Sequence, residues 1–336
     1  MTSLPTLVLI PGSWHKPACY DKITTLLREQ HQLRCVSIAL PSTANNPAAT
    51  FKDDIDAARA AIANETTNGR NVVVVAHSYG GMVGNSAIKG FTPAAAATDN
   101  DDTENSTTKT GHVIGLILIA SGFTFTGLAF MDPFLGHPPP SWRVNSDTGY
   151  AELVTPAREL FYHDLPAEEA EYWVSQLTTQ SLKSLFEGGE YAYAGWQDLP
   201  AVWYIGTVED RGLPVLAQRM TVGMARAMGC AVEHRELQTS HSPFLSMPEE
   251  TVRIMVQAVE AFAGTTTKRG GDSAGGGGET GTGTGTGTGI VPKTMLWQPA
   301  SWFRIGLPLA LGRVLGRGIL LFRWGRRLWT GLWTGR

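Results

Sequence analysis

Short apolar runs alternate with stretches in which apolar residues recur every three or four positions, and this pattern persists to about residue 264. The run Thr6-Leu7-Val8-Leu9-Ile10 ends at Pro11-Gly12, a strand closed by a turn signal. Tyr20, Ile23 and Leu27 then share one helical face, with Pro17 where a first helical turn tolerates it. Cys35 to Leu40 reads as a second strand. Phe51, Ile55, Ala58 and Ile62 predict a helix burying one stripe. Val72 to Val75 is a β-branched run of the kind buried on both faces of a sheet. Val113–Ala120, Ala201–Ile205 and Ala231–Leu237 are further strand candidates, and Val252, Met255, Val256, Val259 and Phe262 mark a last amphipathic helix stopped near Gly264. Alternation of this kind predicts an α/β fold, a mainly parallel sheet with helices on both faces.

Two stretches interrupt the alternation. Residues 93–111 are rich in Ala, Thr, Asn and Asp and read as a solvated loop. Residues 123–199 show no convincing strand but hold helical pieces, Pro156–Tyr162 and Ala167–Leu177, among many aromatics, so a helical cap over one end of the sheet is expected. The chain as a whole divides into a folded domain over 1–264, a flexible, disordered Gly/Thr-rich linker over 265–293, and a tail over 294–336. The last helix completes the sheet's outer layer, so the domain is expected to end near Gly264 and not to need the tail. The linker's small side chains cannot repay ordering, so the tail is expected to dock firmly only where its Trp and Leu find a hydrophobic partner.

At 43% hydrophobic and 17% charged, the composition is that of a globular protein. The formal net charge of −3 conceals an asymmetry. Residues 1–290 carry 19 basic and 30 acidic side chains, a net of −11, whereas Val291–Arg336 holds 8 basic residues and no acidic one. An acidic body argues against nucleic acid as a partner. Cys19, Cys35 and Cys230 form no C-x-x-C pair and no H-E-x-x-H occurs, so neither a disulfide framework nor a zinc site is expected, and no cofactor is implied. The N-terminus lacks a basic segment followed by an apolar one, which predicts a cytoplasmic protein.

The chemistry is concentrated in Val75-Ala76-His77-Ser78-Tyr79-Gly80-Gly81. A buried strand running through serine into a helix, with small residues two before and two after, is the nucleophile-elbow pattern G-x-S-x-G, here with Ala76 for the first glycine. Serine needs a base. Asp210 follows the Ala201–Ile205 strand and His241 follows Ala231–Leu237, so the order Ser, Asp, His is the one this pattern requires. Glu209 is the adjacent alternative to Asp210. The Tyr79 amide at the helix start and the Ser13 amide in Pro11-Gly12-Ser13-Trp14 are the candidate oxyanion donors. His77 is read as packing or bonding locally, and His15 as a weaker substrate contact; the remaining histidines show no ligand spacing.

These segments, with Thr207-Val208-Glu209-Asp210-Arg211-Gly212-Leu213-Pro214 and the strand order between them, resemble the α/β-hydrolases of the family that contains plant methyl esterases and hydroxynitrile lyases. The resemblance spans residues 6–264. It implies an α/β-hydrolase fold with a cap, a Ser78–His241–Asp210 triad, and oxyanion donors at Ser13 and Tyr79. The family usually has His before the first-loop glycine, where this chain has Pro11. The lyases carry a lysine close to the catalytic histidine, where this chain has Ser242. Hydrolysis of a small to medium apolar or aromatic ester is therefore expected, with lyase or other carbon–carbon chemistry, or a non-catalytic receptor, as the alternatives.

The longest uncharged run in the tail, Thr294 to Phe303, is 10 residues, short of the ~20 a spanning helix needs. No ordinary transmembrane segment is expected. Arg interleaved with Trp and Leu instead fits peripheral contact with anionic membrane, the alternative being an extension without a selected role.

Overall fold

In the computed structural model, which describes residues 4–93, 110–268, 289–294 and 298–333, the apolar runs form one sheet. The strands are β1 (Thr6–Ile10), β2 (Arg34–Ser37), β3 (Val72–His77) and β4 (Val113–Ile119). After a hairpin of β5 (Trp142–Asn145) and β6 (Tyr150–Leu153) come β7 (Val202–Thr207) and β8 (Val232–Leu237). The sheet order is β2-β1-β3-β4-β7-β8, with every neighbouring pair parallel. Every residue of β1, β3 and β4 is buried, which is why these strands carry unbroken apolar runs where a half-exposed strand would alternate.

Helices α1 (Asp21–His31), α2 (Phe51–Thr67) and α3 (Gly80–Ala87) follow the first three strands. α2 opens with a reciprocal capping box between Thr50 and Asp53. The chain leaves β1 for β2 on one side and returns to β3 on the other, so the loops after β1 and β3 diverge from neighbouring strands at a topological switch point. Open α/β sheets build their sites in such a crevice.

The cap differs from the helical layer expected of residues 123–199. It contains α4 (Ala157–Phe161), α5 (Ala167–Gln176) and α6 (Leu182–Phe186), but also the antiparallel hairpin of β5 and β6. Each of these strands has four residues and turns at Gly149, φ 75°, too short for a period-two pattern to emerge from the sequence. The sheet domain ends with α7 (Val215–Ala227), the short α8 (Pro243–Ser246) and α9 (Pro248–Lys268), which runs one turn past Gly264. Most of the loop expected at 93–111, and most of the Gly/Thr linker, lie outside the described residues.

The tail is docked. Ile290 and Glu236 exchange two backbone hydrogen bonds of 2.8 Å, covering the free edge of β8. The chain then forms helical turns from Pro299 and a long helix, α10 (Leu307–Trp333), packed along α7. Glycines make this contact. A Cβ at Gly312 would overlap the Met220 carbonyl, one at Gly316 would lie 2.6 Å from the Met224 carbonyl, and one at Gly223 would overlap that of Leu309. Two helices with small residues at this spacing approach backbone to backbone. Docking therefore combines the expected leucine, Leu309 buried in the hydrophobic core, with small residues that the composition did not suggest.

Candidate active site

Ser78 is the only residue of the turn between β3 and α3 that is not buried, and its φ is 51°. A left-handed conformation costs a non-glycine residue roughly 1–3 kcal/mol and persists only where the surroundings hold it. Here the Ser78 amide donates to the Ile119 carbonyl at 3.0 Å, while the Ser78 carbonyl accepts from the Gly81 amide at 2.9 Å and the Ser121 hydroxyl at 2.7 Å. Gly80 is needed because a Cβ there would overlap the Pro11 carbonyl, so α3 could not begin against the loop after β1.

That first loop is pinned to the cap. The Trp14 carbonyl accepts from the Thr178 amide at 2.8 Å, and the Trp14 indole donates to the Ala151 carbonyl at 3.1 Å. Trp14 itself sits at φ 63°. The Ser13 and Tyr79 amides, from the loops after β1 and β3, have no protein acceptor among the described residues. A developing oxyanion requires unengaged donors of this kind.

His241 and Asp210 meet at 2.7 Å, His241 Nδ1 donating to Asp210 Oδ2, with both side chains almost fully buried. That bond leaves Nε2 as the basic nitrogen of the neutral ring. The Asp210 carboxylate is saturated. Oδ2 also accepts from Thr207 at 2.7 Å and Gln218 at 3.0 Å, and Oδ1 from the Gly212 and Leu213 amides at 2.8 and 2.7 Å. Glu209 is exposed and accepts from Gln238, so it is Asp210 that the β7 turn directs at His241. The geometry brings Asp210 and His241 together, and places Ser78 next to His77, whose ring lies 4.6 Å from that of His241 between centroids.

His77 bonds across the site and not locally. Its Nε2 donates to the His241 carbonyl at 3.0 Å, which leaves Nδ1 unprotonated, buried and without a protein partner. Burial, reinforced by His241 and His15, holds its pKa well below the usual value, so the ring stays neutral. His15 does not offer itself to a substrate. Its Nδ1 donates to the Ser13 carbonyl at 2.7 Å and its Nε2 accepts from Tyr162 at 2.8 Å, and burial lowers its pKa to about 4.

Several supporting residues carry no sequence signal. Asp164 in the cap accepts from the Thr239 hydroxyl and the Ser240 amide, and the Phe161 carbonyl accepts from the Ser240 hydroxyl at 2.8 Å. Ser121 acts on Ser78 from the loop after β4, and Gln218 acts on Asp210 from α7. Only Thr207, three residues before Asp210, lies close enough in sequence to have been singled out. Among the described residues no group of three His, Cys, Asp or Glu is placed to hold a metal ion.

Strand order, elbow and paired His and Asp define an enzyme of the α/β hydrolase class. The chain belongs to the alpha/beta hydrolase family, whose model matches residues 7–254. It is 25% identical over 257 residues to the alpha/beta hydrolase nvfD of Aspergillus novofumigatus, covering 76% of this chain and 96% of that one. In fold it is similar to a pyrethroid hydrolase from Sphingobium faniae JZ-2, with 21% identity, a TM-score of 0.56, and coverage of 78% of this chain and 100% of that one. It is also similar to the methylesterase MES16 from Arabidopsis, with 17% identity, a TM-score of 0.54, and coverage of 77% and 100%. The resemblance to plant methyl esterases carried by the motifs thus extends to the whole hydrolase fold.

Proposed function

We propose that the protein is a serine carboxylesterase acting on a small to medium apolar or aromatic ester. The observation that carries this reading is the left-handed Ser78 at the end of β3, next in the chain to His77, whose ring packs at 4.6 Å on that of His241 in a buried 2.7 Å pair with Asp210. Ser78 Oγ attacks the ester carbonyl while His241 Nε2 takes its proton, and the Tyr79 and Ser13 amides stabilise the oxyanion. The proton then passes to the leaving alcohol, and water repeats the sequence on the acyl-enzyme. Asp210 fixes the imidazole tautomer and stabilises its cation; held by four donors besides His241, it cannot rotate away.

The substrate class is read from the aromatic side chains packed around His241. Phe161 lies 5.6 Å from the His241 ring and 6.0 Å from Trp14, and Trp14 meets Trp142 edge-on at 6.4 Å. Aromatic surroundings favour apolar and aryl groups over sugars. The names of the relatives, hydrolase and methylesterase, agree with an ester. Ser242, buried and uncharged beside His241, offers no cation to a departing cyanide, which disfavours lyase chemistry.

A fluorophosphonate probe, with the adduct mapped by mass spectrometry, should label Ser78, and a panel of aryl and methyl esters should be turned over in preference to a cyanohydrin. Labelling that survives Ser78→Ala, turnover of the cyanohydrin alone, or tight binding without turnover would each overturn the assignment.

A further inference from the structure

The helix beginning at Pro299 has two unlike faces. The inner one is docked: Ile305, Leu309, Gly312, Gly316 and Ile319 recur at helical spacing and are buried or half-buried against the hydrolase, the two glycines at its centre. The outer one is large and apolar. Phe303, Leu307, Leu311, Val314, Leu321 and Phe322 follow the same spacing half a turn away, and all are exposed. Residues Pro299–Phe322 form a helix of 24 residues, long and apolar enough by length and composition to cross a membrane; its most apolar 18-residue window has mean hydropathy 1.6, and 17% of that window is buried. Counting unbroken uncharged runs concealed this, because isolated arginines interrupt the run without changing the outer face.

Charge identifies what such a face would meet. Arg304, Arg313 and Arg317 are exposed, the last two one turn apart beside the apolar stripe, and no acidic residue occurs from Val291 to Arg336. Trp302 and Trp324, exposed near either end of the stripe, have the amphipathic ring favoured at the lipid–water boundary. A second copy of the chain seated face to face would bring two arginine rows together.

We propose that this helix is an in-plane membrane anchor: it docks on α7 through its glycine face and buries its outer face in the surface of an anionic lipid bilayer. The Arg219 guanidinium supports the docked state. It forms a buried two-pronged pair with Glu236, at 2.8 and 2.7 Å, and also bonds the Arg304 carbonyl, so the helix entrance is tied to β8. A docked helix lies along the protein and presents its side to the bilayer, and hydrophobic burial then combines with lipid charge. The anchor is independent of the proposed esterase chemistry.

The test is sedimentation of the full chain with vesicles of phosphatidylcholine, with and without phosphatidylglycerol, at low and high salt. The expected result is binding to the anionic vesicles that weakens with salt and is extracted by alkaline carbonate. Leu311→Asp combined with Leu321→Asp should lower partitioning by more than about tenfold while leaving the melting temperature unchanged. Arg313→Gln with Arg317→Gln should weaken the salt dependence. Absence of binding to either vesicle, resistance to carbonate, or a dimer in lipid-free solution that the double Leu variant dissolves would overturn the proposal.

Discussion

Asp164 of the cap holds Ser240, the residue before His241, through a 2.8 Å hydrogen bond from the Ser240 amide, and holds Thr239 through a second of 2.7 Å from its hydroxyl. The cap is thereby fastened to the loop that carries the histidine. Partial burial works against the Asp164 charge, but the bonds from Ser240 and Thr239 outweigh it and keep the carboxyl below its usual range. Asp164→Ala is expected to lower kcat on a soluble aryl ester by about tenfold, with a stability loss of only about 1 kcal/mol. Asp164→Asn, which retains an acceptor, should recover part of the rate. Steady-state kinetics beside thermal melting separates the two effects.

Asp210 and Glu209 differ in their surroundings by more than their adjacency suggests. Asp210→Asn should reduce kcat on the order of 10^4-fold, because the amide presents the wrong hydrogen-bonding partner to the imidazole. Glu209→Gln, exposed and bonded to Gln238, should stay within about twofold of the parent, since it has no part in the proton transfer. Equal losses in both variants would refute the assignment.

At the elbow, Gly80→Ala should destabilise the fold by about 1–3 kcal/mol, because its methyl must displace the Pro11 backbone. Urea unfolding followed by tryptophan fluorescence measures it. Activity should fall as well, since the same displacement moves the Ser13 loop.

Asp54 gives a pH dependence of known sign. Burial raises its pKa to about 6, against the opposing hydrogen bonds from Ser42 and Tyr79. A carboxyl with a raised folded-state pKa contributes stability that is complete below about 4 and lost as pH rises through about 6. The shift corresponds to at most about 3 kcal/mol. Asp54→Asn should therefore gain stability over the parent on going from pH 5 to pH 8, read as a growing difference in melting temperature. A difference independent of pH would show that Asp54 ionises normally.

Gly312→Leu should separate α10 from α7, because no side chain fits against the Met220 carbonyl. Hydrogen exchange of the α7 amides should rise by at least about tenfold while that of β3 and β4 is unchanged. Parallel loss of protection in the central sheet would mean that the tail is part of the hydrolase core.

Local pattern was sufficient for much of this protein. The unbroken apolar runs of β1, β3 and β4 announce strands buried on both faces, and Ser78 between Ala76 and Gly80 announces a sharp turn, because both rest on chemistry carried by a few consecutive residues. β1 has its expected ends, other strands shifted at one or both ends, and the cap hairpin went unseen, because four-residue strands carry too little periodicity to distinguish from coil. Tertiary structure alone decided which groups support the site. Ser121, Asp164 and Gln218 reach it across 43, 76 and 8 positions of chain, through hydrogen bonds that no local signal encodes. It also decided the role of the tail: a Gly-x-x-x-Gly spacing becomes a docking face only when a second helix presents Gly223 and bare carbonyls at the matching height. Strands and turns are specified by neighbours in sequence, whereas positioning and docking depend on neighbours that only folding supplies.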